Sequence, residues 1–141
     1  MPALNRFESF TTHLNEKVHN LTSDTLKFIL TNDAPSAAWA TKSSVTGELS
    51  TANGYTNGGL SMSGRSASSS GGVYTLTCTD PAWTASGGSF GPFRYCILYN
   101  DTPTSPADPL IGWMDFGYGI TVTSGNTFTI DLPSTGFYFS S

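Results

Sequence analysis

The spacing of apolar residues changes once along this chain, near residue 20. From Leu4 to Val18 the apolar positions Leu4, Phe7, Phe10, Leu14 and Val18 recur every three or four residues. That stripe predicts one amphipathic helix, within residues 1–20 and closed by Asn20, lying on a core. An isolated helix of this length is marginal in water, so Phe7, Phe10 and Leu14 are expected to dock on the rest of the protein or on a neighbouring subunit.

Beyond residue 20 the alternation has period two and is punctuated by turn residues. A strand is expected over residues 25–30, ending at Thr31-Asn32-Asp33-Ala34-Pro35. Residues 36–57 carry weak signals and read as a long excursion with at most a short strand. The turn cluster at 53–59 leads into a strand over 60–67, and Ser68-Ser69-Ser70-Gly71-Gly72 reads as a flexible hairpin connection. Over residues 73–79, Tyr74, Leu76 and Cys78 share one face. Over 93–99, Phe93, Tyr95, Ile97 and Tyr99 line one face while Cys96 and Leu98 occupy the other, as in a strand covered on both sides. A short strand over 110–116 is interrupted at Gly112, and residues 120–123 and 127–132 flank Ser124-Gly125-Asn126 as a closing hairpin. Roughly seven short strands at this spacing make an all-β, jelly-roll-like β-sandwich carrying one N-terminal helix. The expected organisation is a single domain over 1–141: the helix at 1–20, the sandwich at 25–132 and a C-terminal tail at 133–141.

Composition sharpens this picture. Only 11% of residues are charged and 38% are hydrophobic, enough apolar content for one core. The polar faces are largely Ser and Thr, which lowers the desolvation cost of pressing them against another protein. The net charge is −4, and Arg6, Lys17, Lys27, Lys42, Arg65 and Arg94 are scattered, which argues against nucleic-acid binding. The N-terminus has neither the long apolar run nor the cleavage site of a secretory signal, and no stretch reaches membrane-spanning length. Two cysteines, Cys78 and Cys96, sit in strand-like runs and are expected to be buried free thiols. His13 and His19 are six residues apart, which does not place both on one helix face as metal ligands, so no metal site is expected.

Candidate chemistry is sparse. A Ser-His-Asp arrangement would have to be built from the two histidines of the helical leader. Asp80, Asp101, Asp108, Asp115 and Asp131 lie mostly in turns, where capping the backbone is their ordinary role, rather than as a glycosidase pair. The glycine-rich 53–59 segment lacks the Gly-Lys-Ser/Thr ending of a phosphate loop. The expectation is a protein that is not an enzyme and takes no cofactor. The aromatics Trp39, Trp83, Trp113, Tyr55, Tyr95, Tyr99, Tyr118 and Tyr138 allow two readings: a sugar-stacking platform, or anchors for the core and for subunit contact. Phe137, Tyr138 and Phe139 are consecutive, so they cannot all face inward on a strand, and another subunit is expected to cover at least one.

Several stretches carry a family likeness. They are Phe7-Glu8-Ser9-Phe10, His19 through Lys27, Asp80-Pro81-Ala82-Trp83-Thr84-Ala85-Ser86-Gly87-Gly88, Gly91-Pro92-Phe93-Arg94-Tyr95, Leu98 through Thr102, and Pro109-Leu110-Ile111-Gly112-Trp113. Together they span most of the chain, and it resembles the capsid cement (decoration) proteins of tailed bacteriophages. The resemblance implies a jelly-roll virion protein on the outer surface of an HK97-like capsid, made in the cytoplasm of a bacterial host. It further implies the major capsid protein as partner, with no nucleic acid and no membrane. A homo-oligomer following the lattice symmetry is expected, a dimer being the commonest closed choice. The alternative from another class is a carbohydrate- or receptor-binding β-sandwich module of a virion.

Overall fold

The computed structural model describes residues 4–132 and 137–140, the last three of these by their backbone. Ten strands and one helix follow in order: β1 Asn5–Arg6, α1 Glu8–Asn15, β2 Leu26–Thr31, β3 Leu60–Ser61, β4 Ser66–Ser70, β5 Val73–Thr77, β6 Ala82–Thr84, β7 Phe90–Asn100, β8 Leu110–Val122, β9 Thr127–Thr129 and β10 Phe137–Ser140. They form three antiparallel sheets of order β1-β8-β7-β2-β3, β10-β5-β4 and β6-β9. The protein is therefore all-β and sandwich-like, with one short helix. No helix among the described residues is long and apolar enough to cross a membrane.

The five-stranded sheet is covered on both faces. On one, Leu26, Phe28 and Leu30 of β2 and Cys96 and Leu98 of β7 meet Leu76 of β5, Trp83 of β6 and Phe137 of β10 in the main core. On the other, Ile29, Ile97, Tyr99 and Leu110 pack with Phe7, and Trp39 and Val45 from the long excursion lie over them. That excursion contains a single 3-10 turn, Lys42–Ser44, and isolated bridges at Thr31↔Glu48, Thr41↔Pro109 and Ala52↔Tyr55. Its anchor is Tyr55, 1% exposed, whose hydroxyl accepts from the Leu30 N–H at 3.1 Å and donates to Glu48 Oε2 at 2.8 Å. Glu48 also accepts the Gly58 N–H and pairs with Lys42, so one carboxylate ties three points of an irregular segment.

Several expected boundaries move, each for a local reason. The helix is shorter than the 1–20 stripe: Asn5 and Arg6 pair with Trp113 and Gly112 of β8, Phe7 is extended, and Lys17 at φ 63° reverses the chain after Glu16. Its stripe is consequently split, with Phe7 in one core and Phe10 in the other. The strand expected over 60–67 is two, β3 and β4. The serines expected in a flexible connection belong to β4, and the turn is Gly71-Gly72 alone, with φ of 58° and 82°, the two positive angles of a two-residue type I′ hairpin. The strand interrupted at Gly112 and the one at 120–123 are a single strand, β8. The closing hairpin does not form: β8 continues to pair with β7 at Val122↔Phe90, while β9 crosses after the Ser124–Asn126 turn to pair with β6. The segment expected as a tail supplies β10, paired with β5.

Both thiols are free; Cys96 is fully buried and Cys78 half-buried. Burial pushes the Cys78 thiol up to about 11, with Asp80 adding to the shift and Arg65 opposing it, and burial alone raises Cys96 further. Neither holds appreciable thiolate at neutral pH. In native protein Cys78 is expected to alkylate slowly and Cys96 not at all, with both reacting after denaturation; mass spectrometry of alkylated peptides checks this, and a mass two units low would show a disulfide instead.

Candidate interaction surface

The residues singled out by sequence divide sharply by exposure. Phe7 is 1% exposed and packs on Trp113 with ring centroids 4.7 Å apart; Phe10 is 0% exposed; Phe137, opposite Leu76, is 5% exposed. These three serve the protein's own cores. Leu14 is 40% exposed and remains available to a partner. The side chains of Tyr138 and Phe139 lie outside the described residues. The aromatics weighed as a sugar platform are dispersed: Trp83, Tyr55 and Tyr99 are buried, and Trp39 and Trp113 flank the second core.

Tyr118 is the exception, 68% exposed. Its position follows from a bulge in β8. Phe93 faces Ile120 and Tyr95 faces Asp115, so the single residue Arg94 on β7 stands opposite Phe116, Gly117, Tyr118 and Gly119. Extra residues on one strand bend it away from its neighbour and re-aim its side chains. Asp115 clamps the base of the bulge: Arg94 donates from Nε to Oδ1 at 2.8 Å and from a terminal nitrogen to Oδ2 at 3.1 Å, and the Gly117 N–H reaches Oδ1 at 2.7 Å. These bonds, from Arg94 first and Gly117 second, hold the Asp115 carboxyl below its usual range. Arg94 also lies over the Tyr95 ring, 5.3 Å from its centroid.

Tyr118 borders an open groove of about 240 Å³ lined also by Phe116, Ile120, Phe128 and Ile130, with Thr129 and Asp131 completing the lining. Its wall is rigid because it is the edge of the main core. Phe116 and Phe128 meet edge to face at 5.4 Å, and both contact the fully buried Phe93, at 6.2 and 5.0 Å. An exposed ring beside a concave apolar surface backed by packed aromatics is an arrangement suited to anchoring a partner. Elsewhere the exposed surface of β4 presents Ser66, Ser68, Ser69 and Ser70.

The bulge inverts one expectation from the sequence. Strict alternation groups Phe93 with Tyr95, Ile97 and Tyr99, yet Phe93 joins Cys96 and Leu98 in the main core because the ladder slips between Phe93 and Tyr95. The histidines supply a second surprise. Spacing alone separates them, but the reversal at Lys17 brings the His13 and His19 rings to 6.0 Å. Among the described residues no three His, Cys, Asp or Glu side chains gather as metal ligands would. Comparison with protein-family models, with curated proteins and with solved structures gives no match.

Proposed function

We propose that this chain is a structural virion protein that binds the outer surface of a phage capsid and stabilises the shell. The observation that carries a contact role is Tyr118, held out from a sparsely charged surface by a clamped bulge and set beside the apolar groove. The capsid as partner rests on the likeness of the sequence segments described above to capsid cement proteins. Such a protein binds the assembled lattice and not the free subunits, so its binding free energy adds to the assembled state, and many weak copies acting together stabilise the shell. No bond need be made or broken.

A central aromatic anchor carries a disproportionate share of interface energy. Tyr118→Ser is expected to weaken binding to heads lacking the protein by roughly thirtyfold or more. Its melting temperature should stay near that of the parent, since the ring is largely in water. Heads without the protein should open at lower temperature or under milder osmotic shock. Heads equally robust with and without it would overturn the proposal, and specific glycan binding by the free protein would favour a receptor-binding module.

A further inference from the structure

The region around His19 contains a buried polar network that the docking surface does not use. His19 is 7% exposed, its ring tilted against that of Phe10 with centroids 5.2 Å apart, and Asn100 of β7 is 0% exposed. Asn100 Nδ2 lies 3.1 Å from His19 Nδ1 and donates to Asp24 Oδ2 at 2.7 Å. The orientation of that amide is set at its other end, where Oδ1 accepts the Thr102 N–H at 3.1 Å. The amide therefore presents N–H to the imidazole, and Nδ1 of His19 must accept. The ring proton accordingly sits on Nε2, a tautomer assigned from this network.

We propose that His19 is a proton-operated latch: neutral, it joins the segment running from α1 to Asp24 to β7 through Asn100, and protonated, it releases that segment from the sandwich. The reason is geometric. A proton on Nδ1 would set N–H against the N–H of Asn100, and turning the amide over would break its bonds to both Thr102 and Asp24. Nor does the surrounding protein offer compensation at the far side of the ring, because Nε2 is buried without a hydrogen-bond partner among the described residues. His13 Nδ1, on the neighbouring ring of α1, is likewise buried and without such a partner.

The charges around the ring fit this behaviour. From α1, His13 opposes a positive charge on His19; from the turn before β2, Asp24 favours one. The Asp24 carboxylate is already engaged by the Asn20 N–H at 2.8 Å, and Arg65 donates to the Asp24 carbonyl. The nearby charges Lys27 of β2 and Asp101, just past the end of β7, pair with each other at 3.2 Å. Burial first and His13 second lower His19 from 6.5 to about 4, against the pull of Asp24. The released ring thus binds a proton more tightly than the latched one. The latch is complete above pH 6.5 and is lost progressively as pH falls toward 4. The inference does not depend on what the Tyr118 surface binds.

Amide hydrogen exchange of the full chain between pH 7.5 and 4, corrected for intrinsic rates, tests it. The opening equilibrium of residues 10–24 is expected to rise by up to about tenfold per pH unit below pH 6.5, while Ile29 and Ile97 in the sheet keep their protection. His19→Gln, whose side-chain oxygen can still accept from Asn100 but does not titrate, should hold protection into acid. His13→Gln, by removing the like charge that opposes a proton on the latched ring, should make the total rise in opening smaller and end it at a higher pH. Parallel loss of protection in the parent and in His19→Gln would overturn the proposal. Should the glutamine variant fail to hold the segment at any pH, an NMR titration of the parent decides: the His19 ring shifts and the loss of protection at Phe10 must share one midpoint below 6.5, and separate midpoints overturn the latch.

Discussion

Replacing Phe93 by Ala is expected to cost about 3–5 kcal/mol of folding stability. For a domain whose total stability is about 5–15 kcal/mol, that is about a fifth or more of what holds it folded. The ring is fully buried and central to an aromatic group, stacked on Phe90 at 6.0 Å and meeting Phe116 and Phe128 edge to face. Its removal takes away both the transfer free energy of the side chain and the partners of three other rings, and rigid neighbours in β7, β8 and β9 cannot all collapse into the space. Phe93→Leu, which keeps most of the volume, should cost only about 1–2 kcal/mol. Urea unfolding followed by circular dichroism measures both. Because Phe93 backs the groove beside Tyr118, the Ala variant should also weaken partner binding more than its residual folded fraction explains. A cost below that of Phe93→Leu would show that the residue does not sit in the main core.

The same residue marks where sequence legibility ends. Period-two alternation was sufficient to find β2, β5 and most of β7, and it correctly implied a strand covered on both faces, because Ile97 and Leu98 do enter different cores. Alternation presumes an unbroken ladder, however, and the register slips on either side of Phe93 move it to the face opposite the one expected. The one local signal of the bulge was the pair Gly117 and Gly119 flanking an aromatic residue, and nothing in a single sequence says that four residues will stand opposite one. The N-terminal stripe failed for a related reason. Helical spacing places Phe7 and Phe10 on one side, but the helix starts only after Phe7, since Asn5 and Arg6 are pulled into β1 by the free edge of β8. The partner strand decides that, and it lies more than a hundred residues away along the chain. A double-mutant cycle separates the two groupings of Phe93. Coupling of about 0.5–1.5 kcal/mol with Phe128→Leu and none with Ile97→Val supports the observed core.

Gly59→Ala should be as damaging as the loss of Phe93, although it adds only one methyl group. A Cβ on Gly59 would stand 2.1 Å from the Phe28 carbonyl oxygen, 2.8 Å from its carbonyl carbon and 2.7 Å from Cγ2 of Ile29, and the residue has φ +92°. Backbone of a strand inside the sheet cannot give way as the end of a flexible side chain does. The clash can be relieved only by lifting β3 from β2, where Leu60 pairs with Phe28. That movement would also disturb the Gly59 N–H bond to Thr56 and the adjoining Gly58, whose carbonyl accepts from the Tyr99 hydroxyl and whose N–H reaches Glu48. The combined cost is expected to exceed about 3 kcal/mol, at the upper end for single substitutions. Gly58→Ala is the matched control, since it shares a positive φ of +99° but its Cβ would meet nothing within 4 Å. It should cost only the about 1–2 kcal/mol of placing a side chain in the left-handed region. Denaturation of the two variants side by side therefore separates backbone conformation from close approach. Equal losses would mean that the β2–β3 contact is not as tight as described, and a larger loss for Gly59→Ala would establish that the turn cluster at 53–59 is held against the central sheet by direct backbone packing.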